Sequence, residues 1–225
     1  MQLTKFTHSC VRFDDADRSL VIDPGVFSEV DEALDGAGAV LITHEHPDHI
    51  DTEKVLAAAR KDPRLRIWAP AGVAGSLGEL GEQVVAVGAG EQFDAAGFDV
   101  RTFGGQHAVI HPSIPVVANV GYLINGGTPA SRGVAGGGGV AHPGDSLIVP
   151  TEDVDLLLLP VNAPWSKLSE VIDYAIAVRA PRVHQIHDGL MNQFGYSVVE
   201  RQVTALAGAH GPQYQHLDPR TTVTV

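Results

Sequence analysis

Thr43-His44-Glu45-His46-Pro47-Asp48-His49 is the stretch whose reading decides this chain. From His44 to His49 it runs His-x-His-x-Asp-His. Imidazole and carboxylate are ligands for zinc-like divalent metals. His44 and His46 stand two apart, so on an extended segment their side chains point the same way. Asp48 and His49 are adjacent and must diverge, which suits a second metal beside the first. Chance produces three histidines and an aspartate in this order at roughly one in several hundred, even in a His-rich chain. A polar turn with surface histidines is the weaker reading.

Outward from the motif, strand-like and helix-like runs alternate. Residues 39–42 form a short apolar strand that delivers the motif at its C-terminal end. Asp51 caps a helix over residues 52–60, stopped by Asp62-Pro63. Upstream, residues 3–6, 10–13 and 20–22 read as strands, followed by the turn Asp23-Pro24-Gly25. Downstream strands are expected at 67–69, 84–87, 98–103, 116–124, 140–142, 156–160 and 183–187. A short helix lies near 71–77. Leu168, Val171, Ile172, Ala175 and Ile176 have helical spacing, and a further helix covers 197–206. Residues 221–225 close a sheet. The glycine-rich stretch 125–139 reads as a flexible hairpin loop bearing on specificity, not as a domain boundary. Such a pattern favours stacked sheets covered by helices over a single parallel sheet.

Bulk composition narrows the function. The 225 residues, 44% hydrophobic and 19% charged, suffice for a substantial core without disulfides. A formal charge of −12 argues against a nucleic-acid backbone as the main partner. The cluster Lys54, Arg60, Lys61, Arg64 and Arg66 reads as a solvated helix face, with a local basic groove as its alternative. Cys10 is the one cysteine, so no intramolecular disulfide forms, as expected in a reducing cytosol. The opening residues lack the apolar run of a signal peptide, and no stretch has the length of a membrane span. A cytoplasmic location is expected.

Two metals need more ligands than one motif supplies. Downstream, His107 and His111 follow the strand at 98–103 and the pair Gly104-Gly105. Asp145 sits in His142-Pro143-Gly144-Asp145-Ser146. His184 and His187 lie on one strand, on opposite faces. At this point the sequence resembles the metallo-β-lactamase-fold hydrolases. The resemblance runs from His8-Ser9-Cys10 through Asp23-Pro24-Gly25, the 44–49 motif and Gly144-Asp145-Ser146 to the strand at 181–187. Within that superfamily the chain looks most like the small stand-alone hydrolases related to ascorbate-6-phosphate lactonase.

The resemblance implies an α/β architecture, an αββα sandwich of the metallo-β-lactamase type built from two similar halves. It also implies one metallo-hydrolase domain over residues 1–225, with metals at one rim of the sheets. Carried over by position, His44, His46 and His107 hold the first divalent ion. Asp48, His49 and His187 hold the second, and Asp145 bridges them. The donors suit Zn2+, and Mn2+ or iron also occupies mixed His/carboxylate sites. Spacing alone leaves His111 beside His107 and His184 beside His187. The glycine pair lets the chain turn sharply toward His107, and His187 closes its strand. The alternative for Asp145 is an ordinary Gly-Asp turn.

Other residues keep two readings. His142 is a second layer to the ligands or a satisfied strand histidine. His8 occupies a family-like position from which it reaches the pocket, or it does not. Asp23 buttresses the ligands or simply makes a turn. Trp165 lines a substrate mouth or packs within a loop.

The expected chemistry is hydrolysis of a small ester, lactone or phosphoester by a hydroxide bridging two metals, with Asp48 orienting it or passing a proton on. A nuclease on the same fold is the alternative. A di-iron redox site would place a carboxylate where His46 stands. The Gly-x-Ser-x-Gly elbow fails at Ala74, and no Gly-x-x-x-x-Gly-Lys loop occurs.

Overall fold

The computed structural model describes residues 1–125 and 138–225. The hairpin read at 125–139 therefore lies, apart from its flanks, outside the described residues. The first part of the chain forms β1 (Gln2–Lys5), β2 (Val11–Asp15), β3 (Arg18–Ile22), α1 (Val30–Leu34), β4 (Ala39–Leu41), α2 (Thr52–Lys61), β5 (Arg66–Ala69), α3 (Ala71–Ser76) and β6 (Val84–Ala86). The second forms β7 (Gln92–Ala95), β8 (Phe98–Gly104), β9 (Val120–Asn125), β10 (Gly139–His142), β11 (Val154–Pro160), α4 (Leu168–Val178), β12 (Arg182–Ile186), α5 (Gln193–Gln202), β13 (Gln213–Tyr214) and β14 (Thr221–Thr224).

Two seven-stranded sheets result, ordered β14-β1-β2-β3-β4-β5-β6 and β13-β12-β11-β10-β9-β8-β7. In each, an antiparallel run gives way to a parallel one: at β3 in the first sheet and at β10 in the second. The closing strand expected at 221–225 pairs antiparallel with β1, Gln2 opposite Thr224.

Three apolar clusters make the layers. Leu156 and Leu158 of β11 join the core between the sheets, with Phe13, Leu20, Phe98 and Tyr122. Leu157 and Leu159, on the opposite face, pack under α4 with Val171, Ile172 and Ala175. A fully apolar run is what a parallel strand covered on both faces requires. Each such leucine stabilises the fold by about 1.5–3 kcal/mol. β4 is built alike: Ala39 and Leu41 face the inner core, Val40 and Ile42 the helices α1 and α2. Cys10 is buried in that outer layer, and burial pushes its thiol up to about 12.

Two expected elements differ from what forms. The strand read at 116–124 pairs only from Val120 onward. Its earlier backbone is committed elsewhere: the amides of His107 and Gly105 donate to Val117 and Asn119, and the Val120 amide donates to Thr43. The helix read at 197–206 begins at Gln193, because the Asn192 side chain caps the amides of Phe194 and Gly195. After Gln202 it widens into a π turn over Val203–Ala207. Among the described residues, no helix is long and apolar enough to cross a membrane.

Strand direction positions the site. β2 runs opposite to both β1 and β3, so β1, β3 and β4 all point one way. By the same logic β8, β10, β11 and β12 share a direction. Their C-terminal ends meet at one edge of the sandwich.

Candidate metal centre

Six of the strands that end at this edge are followed by polar residues of the site. His8 follows β1, Asp23 follows β3, and His44 to His49 follow β4. His107 follows β8, Asp145 follows β10, and His187 follows β12. The turn at Gly25 docks flat against the motif, with Val26 N–H donating to Pro47 and Asp51 N–H to Pro24. A Cβ at Gly25 would lie 1.9 Å from the Asp48 carbonyl oxygen, so only glycine fits. Gly104 and Gly105 adopt φ of 82° and 119° and swing the chain back over the site.

The predicted ligands converge. Donor atoms of His44, His46 and His107 lie within 4.8 Å of one another, as do those of Asp48, His49, His187 and His8. His44, His49 and Asp145 form a third such group. His44 Nε2 stands 3.1 Å from His46 Nδ1, so the two residues do face the same way. Asp145 lies at the centre: its carboxylate is 3.0 Å from His49 Nε2, 3.4 Å from His107 Nε2 and 3.1 Å from His187 Nε2. Nevertheless His49 Nε2, His107 Nε2, His187 Nε2 and Asp145 Oδ1 are buried without a properly aligned hydrogen bond. Buried polar atoms are normally paired. Four unpaired donors aimed at common points are the arrangement that divalent ions complete, so the residues present fit such ions.

The far ring nitrogens of His44, His49, His107 and His187 are engaged. His44 Nδ1–H donates to Thr43 Oγ1 (3.0 Å), which donates to Asp23 Oδ2 (2.7 Å). His49 Nδ1 donates to the same Asp23 oxygen at 2.6 Å. His107 and His187 donate Nδ1–H to the Ala108 and Asn162 carbonyls, both at 2.6 Å. In each case a neutral ring carries its proton on Nδ1 and turns the Nε2 lone pair to the centre. His8 is set the other way. Its Nδ1 accepts from the Gly189 amide, so Nε2 carries the proton and donates to Asp48 Oδ2 at 3.1 Å. His8 thus orients a ligand rather than offering a lone pair.

His8, Asp23 and His187 have φ of 65°, 51° and 58°. A left-handed backbone at a non-glycine residue costs roughly 1 kcal/mol or more. Hydrogen bonds hold each in place: His187 N–H donates to His8 O, and Asp23 N–H to Leu41 O.

Electrostatics follow from burial and crowding. Burial pushes His44 well below the usual histidine range, and positive His49 adds to the effect. Burial likewise lowers His46. For His49 burial is outweighed by Asp145 and Asp23, which raise it well above the usual value. Burial would raise Asp145, but His49, His107 and His187 hold it well below the carboxylate range. Burial opposes ionisation of Asp48 too, yet the His8 hydrogen bond and His49 bring it to about 2. Both carboxylates are therefore ionised.

Of the alternatives left open by spacing, His107 enters the cluster, whereas His111 is exposed and accepts from the Ser113 amide. His187 enters it, whereas His184 bonds the Gln215 carbonyl away from it. His142 bonds Ser9 O and the Gly144 amide, a satisfied strand histidine. Trp165 is tied to the centre: its indole N–H donates to Asp145 Oδ2 at 2.8 Å, and its ring stands edge-on to His107 and His187. Sequence reading missed Asn119, which accepts from the Asp145 amide and donates to Pro143 O. It also missed the buried pair Lys5–Asp188 at 3.1 Å. Neither has a local signal beyond an apolar run interrupted by one polar residue.

The chain's likeness to known proteins agrees with this geometry. The profile of the beta-lactamase superfamily domain matches residues 2–187, a span that holds every residue of the cluster. Protein Rv0786c of Mycobacterium tuberculosis is 41% identical over 191 residues, 85% of each chain. A UPF0173 metal-dependent hydrolase of Xanthobacter autotrophicus is 30% identical over 131 residues, 51% of each chain. Among solved structures, Igni18, a metallo hydrolase of Ignicoccus hospitalis, superposes with a TM-score of 0.74 at 18% identity, covering 99% of this chain and 97% of that one. The chain belongs to the beta-lactamase superfamily and shares its fold with metal-dependent hydrolases.

Proposed function

We propose that the protein is a dinuclear metal-dependent hydrolase of a small ester, lactone or phosphoester. The observation that carries the reading is the set of buried, unpaired donor atoms meeting around Asp145. In this reading His44, His46 and His107 hold one ion, Asp48, His49 and His187 the other, and Asp145 stands between them. When bound, divalent ions supply Lewis acidity at the scissile group and make a coordinated water acidic near neutral pH. The histidine-rich set suits Zn2+.

The chain's own residues do the rest. Asp23, through Thr43 and His49, fixes two ligand rings in one tautomer. His8 pins one oxygen of Asp48. Asp48, held to about 2, is ionised at neutral pH and accepts a hydrogen bond from the attacking water, orienting it toward the substrate. The nuclease alternative lacks a comparable support. Of the basic cluster, Lys54 is paired to Asp31 at 2.7 Å, Arg64 to Asp62 at 2.9 Å, and Arg60 to Glu79. A polyanion would have to break these pairs.

Elemental analysis of the purified protein beside His46→Ala and Asp145→Ala tests the reading. We expect about two equivalents of metal, lowered in both variants, and hydrolysis abolished by a chelator and restored by Zn2+. Loss of Lewis acidity is worth several kcal/mol, on the order of 10^3-fold in rate. A protein that takes up no metal after reconstitution overturns it.

A further inference from the structure

Among the described residues, the loops that frame the candidate metal centre contain neither lysine nor arginine. Residues 23–29, 43–51, 104–119, 143–166 and 187–200 include neither Lys nor Arg. Among the described residues, Lys54, Lys5 and Arg220 touch these loops from outside and are committed: Lys54, which neighbours Asp51, is paired to Asp31. Lys5 is fully buried against Asp188, and Arg220 is paired to Glu29 and Glu32. Recognition of phosphate or a substrate carboxylate draws on such groups.

What the same loops do present is apolar. Phe27 is 44% exposed, its ring edge-on to His8 at 5.2 Å. Val109 and Ile110 are exposed two and three positions after His107, where the Ala108 amide holds the loop to Asp145 O. Leu190 is 59% exposed and follows Gly189, whose amide donates to His8. Phe194, 73% exposed, opens α5 on the same loop, and Trp165 reaches in to Asp145. These side chains come from separate loops: Phe27 and Trp165 touch residues of the centre, and Val109, Ile110, Leu190 and Phe194 lie on the loops that follow His107 and His187. Exposed large apolar side chains gathered on the loops of one site mark a binding surface.

We infer that the substrate is an uncharged carboxylic ester or lactone whose non-reacting part is an apolar chain or ring. The inference rests on the hydrolase reading above and specifies its substrate class. In the reaction the oxygen of water bonds to the acyl carbon and the acyl carbon–oxygen bond breaks. The departing alkoxy oxygen takes a proton, and the products are an alcohol and a carboxylic acid that ionises. The apolar side chains take up the chain, and among the described residues no lysine or arginine of the framing loops is present to pair with a phosphate. The resemblance to ascorbate-6-phosphate lactonase thus does not extend, among the described residues, to recognition of a phosphate by cationic side chains.

The test uses the metal-loaded protein with 4-nitrophenyl esters from acetate to decanoate, beside 4-nitrophenyl phosphate and bis(4-nitrophenyl) phosphate. We expect kcat/KM to rise about three- to fourfold per methylene over the first several, and both phosphates to be poorer substrates than any ester. Phe194→Ser and Phe27→Ser should each lower the octanoate-to-acetate ratio. Independently of turnover, 2-nonanone should bind the metal-free protein, read by tryptophan emission, and bind more weakly to both variants. A flat chain-length series, or phosphates turned over as fast as esters, overturns the substrate class and leaves the hydrolase reading standing. Failure of 2-nonanone to bind overturns it even if none of these compounds is hydrolysed. Absence of metal after reconstitution sinks the hydrolase reading itself. A dimer, or binding to neutral phosphatidylcholine vesicles, that Phe194→Ser abolishes assigns the patch to a second copy or a bilayer and also overturns the inference.

Discussion

The two sheets furnish the centre in different ways. The first places His44, His46, Asp48 and His49 on one loop after β4. The second gives one residue from each of three loops: His107, Asp145 and His187. The supports differ as well. On the first side a single carboxylate, Asp23, organises Thr43, His44 and His49 through side chains and one backbone amide. On the second side support is dispersed: the Ala108 and Asn162 carbonyls, the Asn119 amide group and the Trp165 indole each hold one residue. A compact motif can share one anchor, whereas ligands brought together by long-range pairing need an anchor each. The first side should therefore fail as a unit and the second piecemeal.

The largest expected effect lies at the seam between the two sides. Lys5 donates to Phe6 O, to His8 O at 3.0 Å and to Asp188 at 3.1 Å, and it is fully buried. Burial lowers its pKa, against the opposing pull of Asp188. Removing one partner of a buried pair typically costs about 3–5 kcal/mol. Lys5→Met should lose that much in urea unfolding, and Lys5→Met/Asp188→Leu should recover most of it. A loss below about 1 kcal/mol would mean that the seam is dispensable.

Next comes the shared anchor. Asp23→Asn removes the charge that orients His49 and Thr43 together. Loss of such outer partners costs about 10–100-fold in metal affinity. Competition against a chromophoric chelator measures it, with circular dichroism as the control for folding. Unchanged affinity would show that the first side does not depend on one anchor.

Trp165→Phe should have the smallest effect. It removes one hydrogen bond to one carboxylate, worth about tenfold in metal affinity. Tryptophan emission supplies an independent reading. Trp165 and Trp68 are the two tryptophans, and Trp68 is buried and stacked on Phe93. Zinc should change the emission of the parent protein and leave that of Trp165→Phe unaltered. A loss in Trp165→Phe as large as in Asp23→Asn would erase the contrast between the two sides.

Much of this organisation was legible residue by residue. The apolar run at 156–160 implied a strand covered on both faces, and the spacing from Leu168 to Ile176 implied the helix that covers one of them. Asp51 announced the start of α2, and its carboxylate does accept from the Lys54 amide. Less legible were elements whose backbone partners are distant. Residues 116–119 have strand composition, but their carbonyls are taken by the loop that carries His107. The start of α5 depends on a cap at Asn192 that apolar periodicity does not register.

The sequence by itself determined stacked sheets covered by helices and the local histidine-aspartate cluster, and its family resemblance implied the αββα order. Side-chain periodicity and two-residue spacing act over a few ångströms and need no distant partner. Only the tertiary structure decided that His107 rather than His111, and His187 rather than His184, meets that cluster. It alone decided that Trp165 donates to Asp145 and that His8 serves Asp48. Those facts depend on which strand ends share an edge, and shared edges follow from long-range pairing whose register no short stretch of chain encodes.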